Sequence, residues 1–156
     1  AARCTCARAV QLGERANPSF LARRQQHQDA DASTSLRFVP RRDGDIAGLA
    51  AFQNEDAWYL LAVTRERGQP VVALFRRDRR DAAPGGERLL AAPLATTDAP
   101  VQLRIRARGA AYDFEYATVP GQWHTLAEGL DGTLLSTARA GGFTGAVFGV
   151  YAARAP

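Results

Sequence analysis

Asp113 and Glu115 stand two apart in the segment Tyr112–Tyr116. On a strand their carboxylates would share one face about 6.6 Å apart. That spacing lies within the ~6.5–9.5 Å window of an inverting carbohydrate hydrolase. Any alternating strand with acids outside gives the same spacing, however, and Arg104 and Arg106 on the preceding segment are placed to pair with them across a ladder. The structural pairing is therefore expected. Cys4 and Cys6 form a C-x-C, half of a tetrahedral zinc set, but the two histidines, His27 and His124, supply no neighbouring ligand pair. A Cys4–Cys6 bridge would close a strained ring. Asp29/Asp31 and Asp43/Asp45 fall short of the six or more oxygens of a calcium loop and read as turn residues. No G-x-S-x-G marks a serine nucleophile, and Gly85-Gly86 and Gly141-Gly142 lack the Lys-Ser/Thr of a phosphate loop. The expectation is no catalytic residue, no metal and no cofactor in this chain.

The 156 residues suffice for one domain with a proper core. Hydrophobic residues make up 46% and charged residues 23%, the balance of a globular chain. Net charge is +4, and all 20 basic residues are Arg. They are scattered, and the densest run, Arg76–Asp81, is broken by acids. A nucleic-acid surface needs a basic stripe with stacking aromatics, so no nucleic-acid partner is expected. No apolar run approaches the ~20 residues that span a bilayer, and no basic-then-apolar leader stands at the N-terminus. No membrane partner and a cytoplasmic location are the expectations.

Residues 1–17 are weakly patterned, with Ala9–Gly13 as a short candidate strand. From residue 18 onward, short alternating runs are separated by turns. Candidate strands are Phe20–Gln28, Ala32–Val39, Ile46–Gln53, Ala57–Arg65, Val71–Arg77, Glu87–Ala92, Val101–Ala107, Tyr112–Tyr116, Trp123–Ala127, Thr133–Ala138 and Gly145–Ala152. Val101–Ala107 alternates strictly, with Val101, Leu103, Ile105 and Ala107 facing in. No segment holds a helical period beyond about two turns. This many short strands at ~8–12-residue spacing predict an all-β, antiparallel β-sandwich. The domain is placed at 18–156.

Two stretches are not explained by packing. In Gly141-Gly142-Phe143-Thr144-Gly145, glycines frame one aromatic on a loop between candidate strands. A large apolar side chain so placed reads as a contact residue rather than a core residue. In Arg23-Arg24-Gln25-Gln26-His27, five polar residues follow one another along a strand. They read either as a polar surface facing a partner or a sugar, or as an edge strand kept polar against aggregation.

RRQQH (23–27), GLAAFQNEDAWY (48–59), ARGAAYDFEYATVPGQW (107–123) and GLDGTLLSTARAGGFTGAVFGVYA (129–152) together resemble the C-terminal domain of glycoside hydrolase family 43 β-xylosidases. The likeness runs from about Pro18 to Ala152, and residues 1–16 match poorly. It implies a concanavalin A-like β-sandwich, or jelly roll. It further implies a β-propeller catalytic domain as partner, acting on xylo-oligosaccharides or arabinosides, onto which the sandwich packs. One sandwich loop then lends a Phe to the substrate pocket; the matching residues are Phe143 with Gly142 and Thr144. The propeller's catalytic acids have no counterpart here. Family members usually run on through one more strand, so the last strand is expected to be missing. The chain is thus expected to be a non-catalytic accessory domain. The alternatives are an independent carbohydrate-binding module, with Trp58, Trp123 or Tyr112 as stacking candidates, and a domain that holds subunits of a homo-oligomer together through the RRQQH strand or an exposed edge.

Overall fold

The computed structural model describes residues 7–16, 18–25, 27–140 and 146–156. Its strands are β1 (Ser19–Arg24), β2 (Asp29–Leu36), β3 (Ile46–Asn54), β4 (Ala57–Glu66), β5 (Gln69–Arg77), β6 (Glu87–Pro93), β7 (Val101–Arg108), β8 (Ala111–Ala117), β9 (His124–Asp131) and β10 (Val147–Ala153). They form two antiparallel sheets, ordered β1-β10-β3-β4-β5-β6 and β2-β7-β8-β9. This is the all-β sandwich that the alternating runs predict. Among the described residues no helix is long and apolar enough to cross a membrane.

Strand β7 keeps the strict alternation of its sequence. Val101, Leu103, Ile105 and Ala107 are buried while Arg104 and Arg106 line the outer face. Strand β4 follows another rule. Its run Ala57–Val63 is almost wholly apolar, and all seven residues are buried. A continuous apolar strand is one covered on both faces. Tyr59, Leu61 and Val63 point between the sheets to meet Leu103, Ile105 and Phe114. Trp58, Leu60 and Ala62 point to the opposite face of the six-stranded sheet, where they join Leu12, Ala50 and Tyr151 in a second cluster. Each fully buried Leu or Val here is worth about 1.5–3 kcal/mol of apolar transfer.

Leu12 is 2% exposed, so the weakly patterned N-terminal stretch supplies part of that second layer. The stretch is not the strand expected at Ala9–Gly13. Its ladder contact is a single parallel bridge, Arg8 to Ala153. Gly13 approaches the 78–86 connection too closely for a side chain: an added Cβ would lie 2.5 Å from the Pro84 carbonyl oxygen. The Tyr151 hydroxyl donates to the Val10 carbonyl at 3.0 Å.

The strand expected at Thr133–Ala138 is instead a 3-10 helix, Gly132–Leu135, followed by the short α1, Thr137–Ala140. Leu134 and Leu135 are consecutive and both buried, which a half-buried strand cannot achieve. The Asp131 side chain accepts from the Thr133 amide and so caps the turn.

The turn at Asp43–Asp45 is a structural knot. The Asp45 carboxylate accepts the amides of Arg41, Arg42 and Ala155 at 2.9–3.1 Å. Burial pushes its pKa up, but the three amides outweigh that and hold it below the ordinary carboxylate value. The unfolded chain therefore takes up the proton first as pH falls. The stabilisation is present above the ordinary carboxylate pKa and is lost as pH drops through the lower folded value. Asp45→Asn should cost about 1–3 kcal/mol at pH 7. In urea titrations the gap between variant and parent should close as pH falls below the ordinary carboxylate range.

Candidate functional site

One end of the sandwich gathers residues that lie more than a hundred positions apart. Strand β1 ends at Arg24, and the ladder with β10 goes one step further, the Gln25 amide donating to the Ala146 carbonyl at 2.9 Å. The Gln25 side chain then turns both ways. Its Nε2 donates to the His27 carbonyl at 2.8 Å, and its Oε1 accepts the Tyr112 hydroxyl at 2.9 Å. Gln25, His27, Thr133, Ser136, Thr137 and Ala146 are among the residues around a cleft of about 560 Å³. Among the described residues the wall holds no carboxylate and no guanidinium, so it suits an uncharged polar surface.

On the other side of the cleft a second network secures the segment leading into α1. Asp131 accepts from the Thr133 amide and hydroxyl and from Arg139 Nη1, at 2.6–2.9 Å. The Thr133 hydroxyl, Thr133 amide and Arg139 bonds hold its carboxyl below the usual value. Gly132 lies against the Tyr112 ring, and an added Cβ would meet two ring carbons at 2.4 Å. A glycine is required there by the close approach of main chain to ring.

Part of the polar run lies at this cleft. Gln25 and His27 line the same cleft as Thr137 and Ala146. Phe143, Gly142, Thr144 and Gln26 themselves lie outside the described residues, as do Cys4 and Cys6. Arg23 and Arg24 are exposed on β1, an edge strand, beside a groove of about 1000 Å³ between β1 and β2. Tyr59, Asp131, Thr133 and Arg139 did not stand out in the sequence. The S/T-rich turn after Asp131 was a capping signal that could have found three of them.

The alternative chemistries are structurally engaged. Glu115 is 7% exposed and paired with Arg104, whose Nε donates to it at 2.6 Å, and with Arg106 at 3.8 Å. Asp113 accepts the Gly129 amide at 2.8 Å. The ladder sets Arg104 opposite Glu115 and Arg106 opposite Asp113, on the neighbouring strand where the pairing was expected. Asp29 accepts the Gly109 amide and Asp31 the Arg108 guanidinium. Among the described residues no cluster of three His, Cys, Asp or Glu is placed to hold a metal ion. Of the three stacking candidates, Trp58 is 0% and Tyr112 4% exposed. Trp123 carries the Arg104 guanidinium over its ring at 4.1 Å.

Residues 6–155 match the family described as the beta xylosidase C-terminal concanavalin A-like domain. A non-reducing end alpha-L-arabinofuranosidase of Bacteroides ovatus is 31% identical over 140 residues, which cover 87% of this chain and 24% of that protein. A xylosidase/arabinosidase of Butyrivibrio fibrisolvens is 25% identical over 142 residues, 87% of this chain and 25% of that protein. The crystal structure of a GH43_12 protein retrieved from the capybara gut metagenome superposes with a TM-score of 0.85 at 31% identity, over 95% of this chain and 28% of that one. The chain therefore spans about a quarter of the length of the relatives it matches.

Proposed function

Because the chain belongs to the family of β-xylosidase C-terminal concanavalin A-like domains, we propose that it is the accessory domain of a β-xylosidase/α-arabinofuranosidase-type glycosidase. It packs on a β-propeller catalytic domain and lends Phe143, with Gly142 and Thr144, to the substrate pocket. The chain is not itself the catalyst. Its task is to cover one side of a shallow pocket, exclude water and narrow the site to short xylo-oligosaccharides or arabinosides.

The observation that carries this reading is the convergence at one end of the sandwich. Gln25 and His27 of the polar run meet Thr137 and Ala146, which flank residues 141–145 in the sequence, at one hydrogen-bonding cleft whose described lining holds no carboxylate and no guanidinium. An uncharged cleft fits a neutral sugar or the main chain of a neighbouring domain. Half a pocket binds little on its own, since its other walls belong to the propeller. The isolated chain should give no saturable heat with millimolar xylobiose or xylotriose. Saturable heat would instead mark an independent carbohydrate-binding module. The burial of Trp58 and Tyr112 already counts against that alternative.

A further inference from the structure

Two tyrosines in the core, one from each sheet, hydrogen-bond near the end of the sandwich that holds the cleft, and Tyr112 lines it. Tyr59 belongs to β4 of the six-stranded sheet and Tyr112 to β8 of the four-stranded sheet. Their rings stack across the core with centroids 6.4 Å apart and planes 28° apart. They are 1% and 4% exposed. Each hydroxyl leaves its own sheet. Tyr59 donates at 2.8 Å to the carbonyl of Asp131, the last residue of β9 in the four-stranded sheet. Tyr112 donates at 2.9 Å to Gln25, just past the end of β1 in the six-stranded sheet.

The bonds are crossed, so sliding or splaying of the sheets at this end would lengthen at least one of them. Their acceptors hold the two chain segments that flank residues 141–145: Asp131 begins one, and Gln25 is bonded to the other. Asp131 caps the turn that runs into α1 and binds Arg139, the residue before Ala140. The Gln25 amide donates to the Ala146 carbonyl on the other flank. Gly132, next to Asp131, rests on the Tyr112 ring, so the second tyrosine braces the first flank as well. Burial pushes both phenol pKa values up, which keeps both hydroxyls protonated as donors. A core needs the rings; two hydroxyls aimed across the sheets at one end are an extra provision.

We infer that Tyr59 and Tyr112 are positioning residues, a crossed clamp that fixes the spacing of the two flanks bordering the cleft. This deepens the proposed function and rests on it for its consequence, that the clamp sets how the domain presents its edge to the neighbouring pocket. As positioning residues they touch no substrate and act through Asp131 and Gln25.

The test uses Tyr59→Phe and Tyr112→Phe, which keep the rings, and Val72→Ala as a control that weakens the core away from the clamp. In the chain itself, hydrogen exchange of the Gln25, Gly132, Ser136 and Arg139 amides should quicken about 3–10-fold in either tyrosine variant, the opening expected from one lost hydrogen bond. The Leu74 amide should not change. Unchanged exchange at all four amides overturns the clamp, whatever the domain does. In the full-length enzyme with xylobiose, each tyrosine variant should raise KM about 3–10-fold with kcat within about 2-fold, and Val72→Ala should do neither. On a Phe143→Ala background the tyrosine changes should add nothing further. Additive effects, or an unmoved KM where Phe143→Ala alone moves it, overturn the positioning role. An inert Phe143→Ala with quickened exchange would instead discard the pocket reading and keep the clamp.

Discussion

Arg77→Ala should lower the unfolding free energy by about 3–5 kcal/mol, the cost of breaking a buried ionic network by removing one partner. Arg77 is 5% exposed. Its guanidinium donates to four main-chain carbonyls, those of Gly13, Glu55, Arg80 and Ala82, at 2.5–3.0 Å. It also faces the Asp56 carboxylate at 3.3 Å. One planar fork thereby ties the N-terminal stretch, the β3–β4 hairpin and the 78–86 connection to the outer face of the large sheet. Deleting it removes this donor from all four carbonyls; Glu55 keeps the Trp58 indole, whereas the Gly13 carbonyl is buried, and a buried orphan costs about 1–3 kcal/mol. For a domain of this size the midpoint should fall by about 10 °C. Arg77→Lys should recover less than half of the loss, because an ammonium cannot reproduce the fork. A loss below about 1 kcal/mol for Arg77→Ala would mean that the network is not formed.

Trp58→Ala is the second large effect, again about 3–5 kcal/mol. The indole is 0% exposed, and its Nε1 donates to the Glu55 carbonyl at 3.2 Å. Gly86 turns over it with a φ of +74°, so near that an added Cβ would stand 2.6 Å from the ring. Removal of the ring takes away the floor under the 78–86 connection. Trypsin should then cut faster after Arg79 and Arg80, which are already exposed, since local opening frees their main chain for the protease. An aromatic displayed for sugar stacking would behave differently: its loss would change unfolding by no more than about 0.5 kcal/mol. Trp58 and Arg77 share the Glu55 carbonyl, so the double substitution should cost less than the sum of the two.

Both residues belong to the layer that the sequence shows least. The inner face was legible because period-two alternation reports one buried and one wet face, as in Val101–Ala107. The ladder pairing of Arg104 with Glu115 followed from that alternation. The apolar run Ala57–Val63 indicates a central strand, but nothing local says what covers its second face. Leu12 does so from a stretch without any period, held by the side chain of Arg77 from 64 residues away. Such a contact is purely tertiary. The 3-10 turn at Gly132–Leu135 was missed for a local reason. TLLST has the β-branched look of a strand, and the decisive signal was the cap from Asp131 rather than the apolar pattern.

The site divides the same way. Gln25 and His27 drew notice as polar residues in a strand, and Phe143 as an aromatic framed by glycines. That Gln25 and His27 share a cleft with Thr137 and Ala146 depends on β1 pairing with β10 at the end of the sheet, a non-local fact. The tyrosines that brace the cleft resembled core residues, and their rings are core residues. Only the direction of the hydroxyls sets them apart.

The most direct test of the central claim is Phe143→Ala in the full-length enzyme, with steady-state kinetics on xylobiose and a urea unfolding curve from the same preparation. A Phe that lends part of its ring to a pocket supplies about 1–2 kcal/mol of apolar contact. The account therefore predicts that kcat/KM falls about 5–30-fold while the unfolding midpoint stays in place. Unaltered kinetics together with a large fall in the midpoint would contradict it, and would return Phe143 to the core.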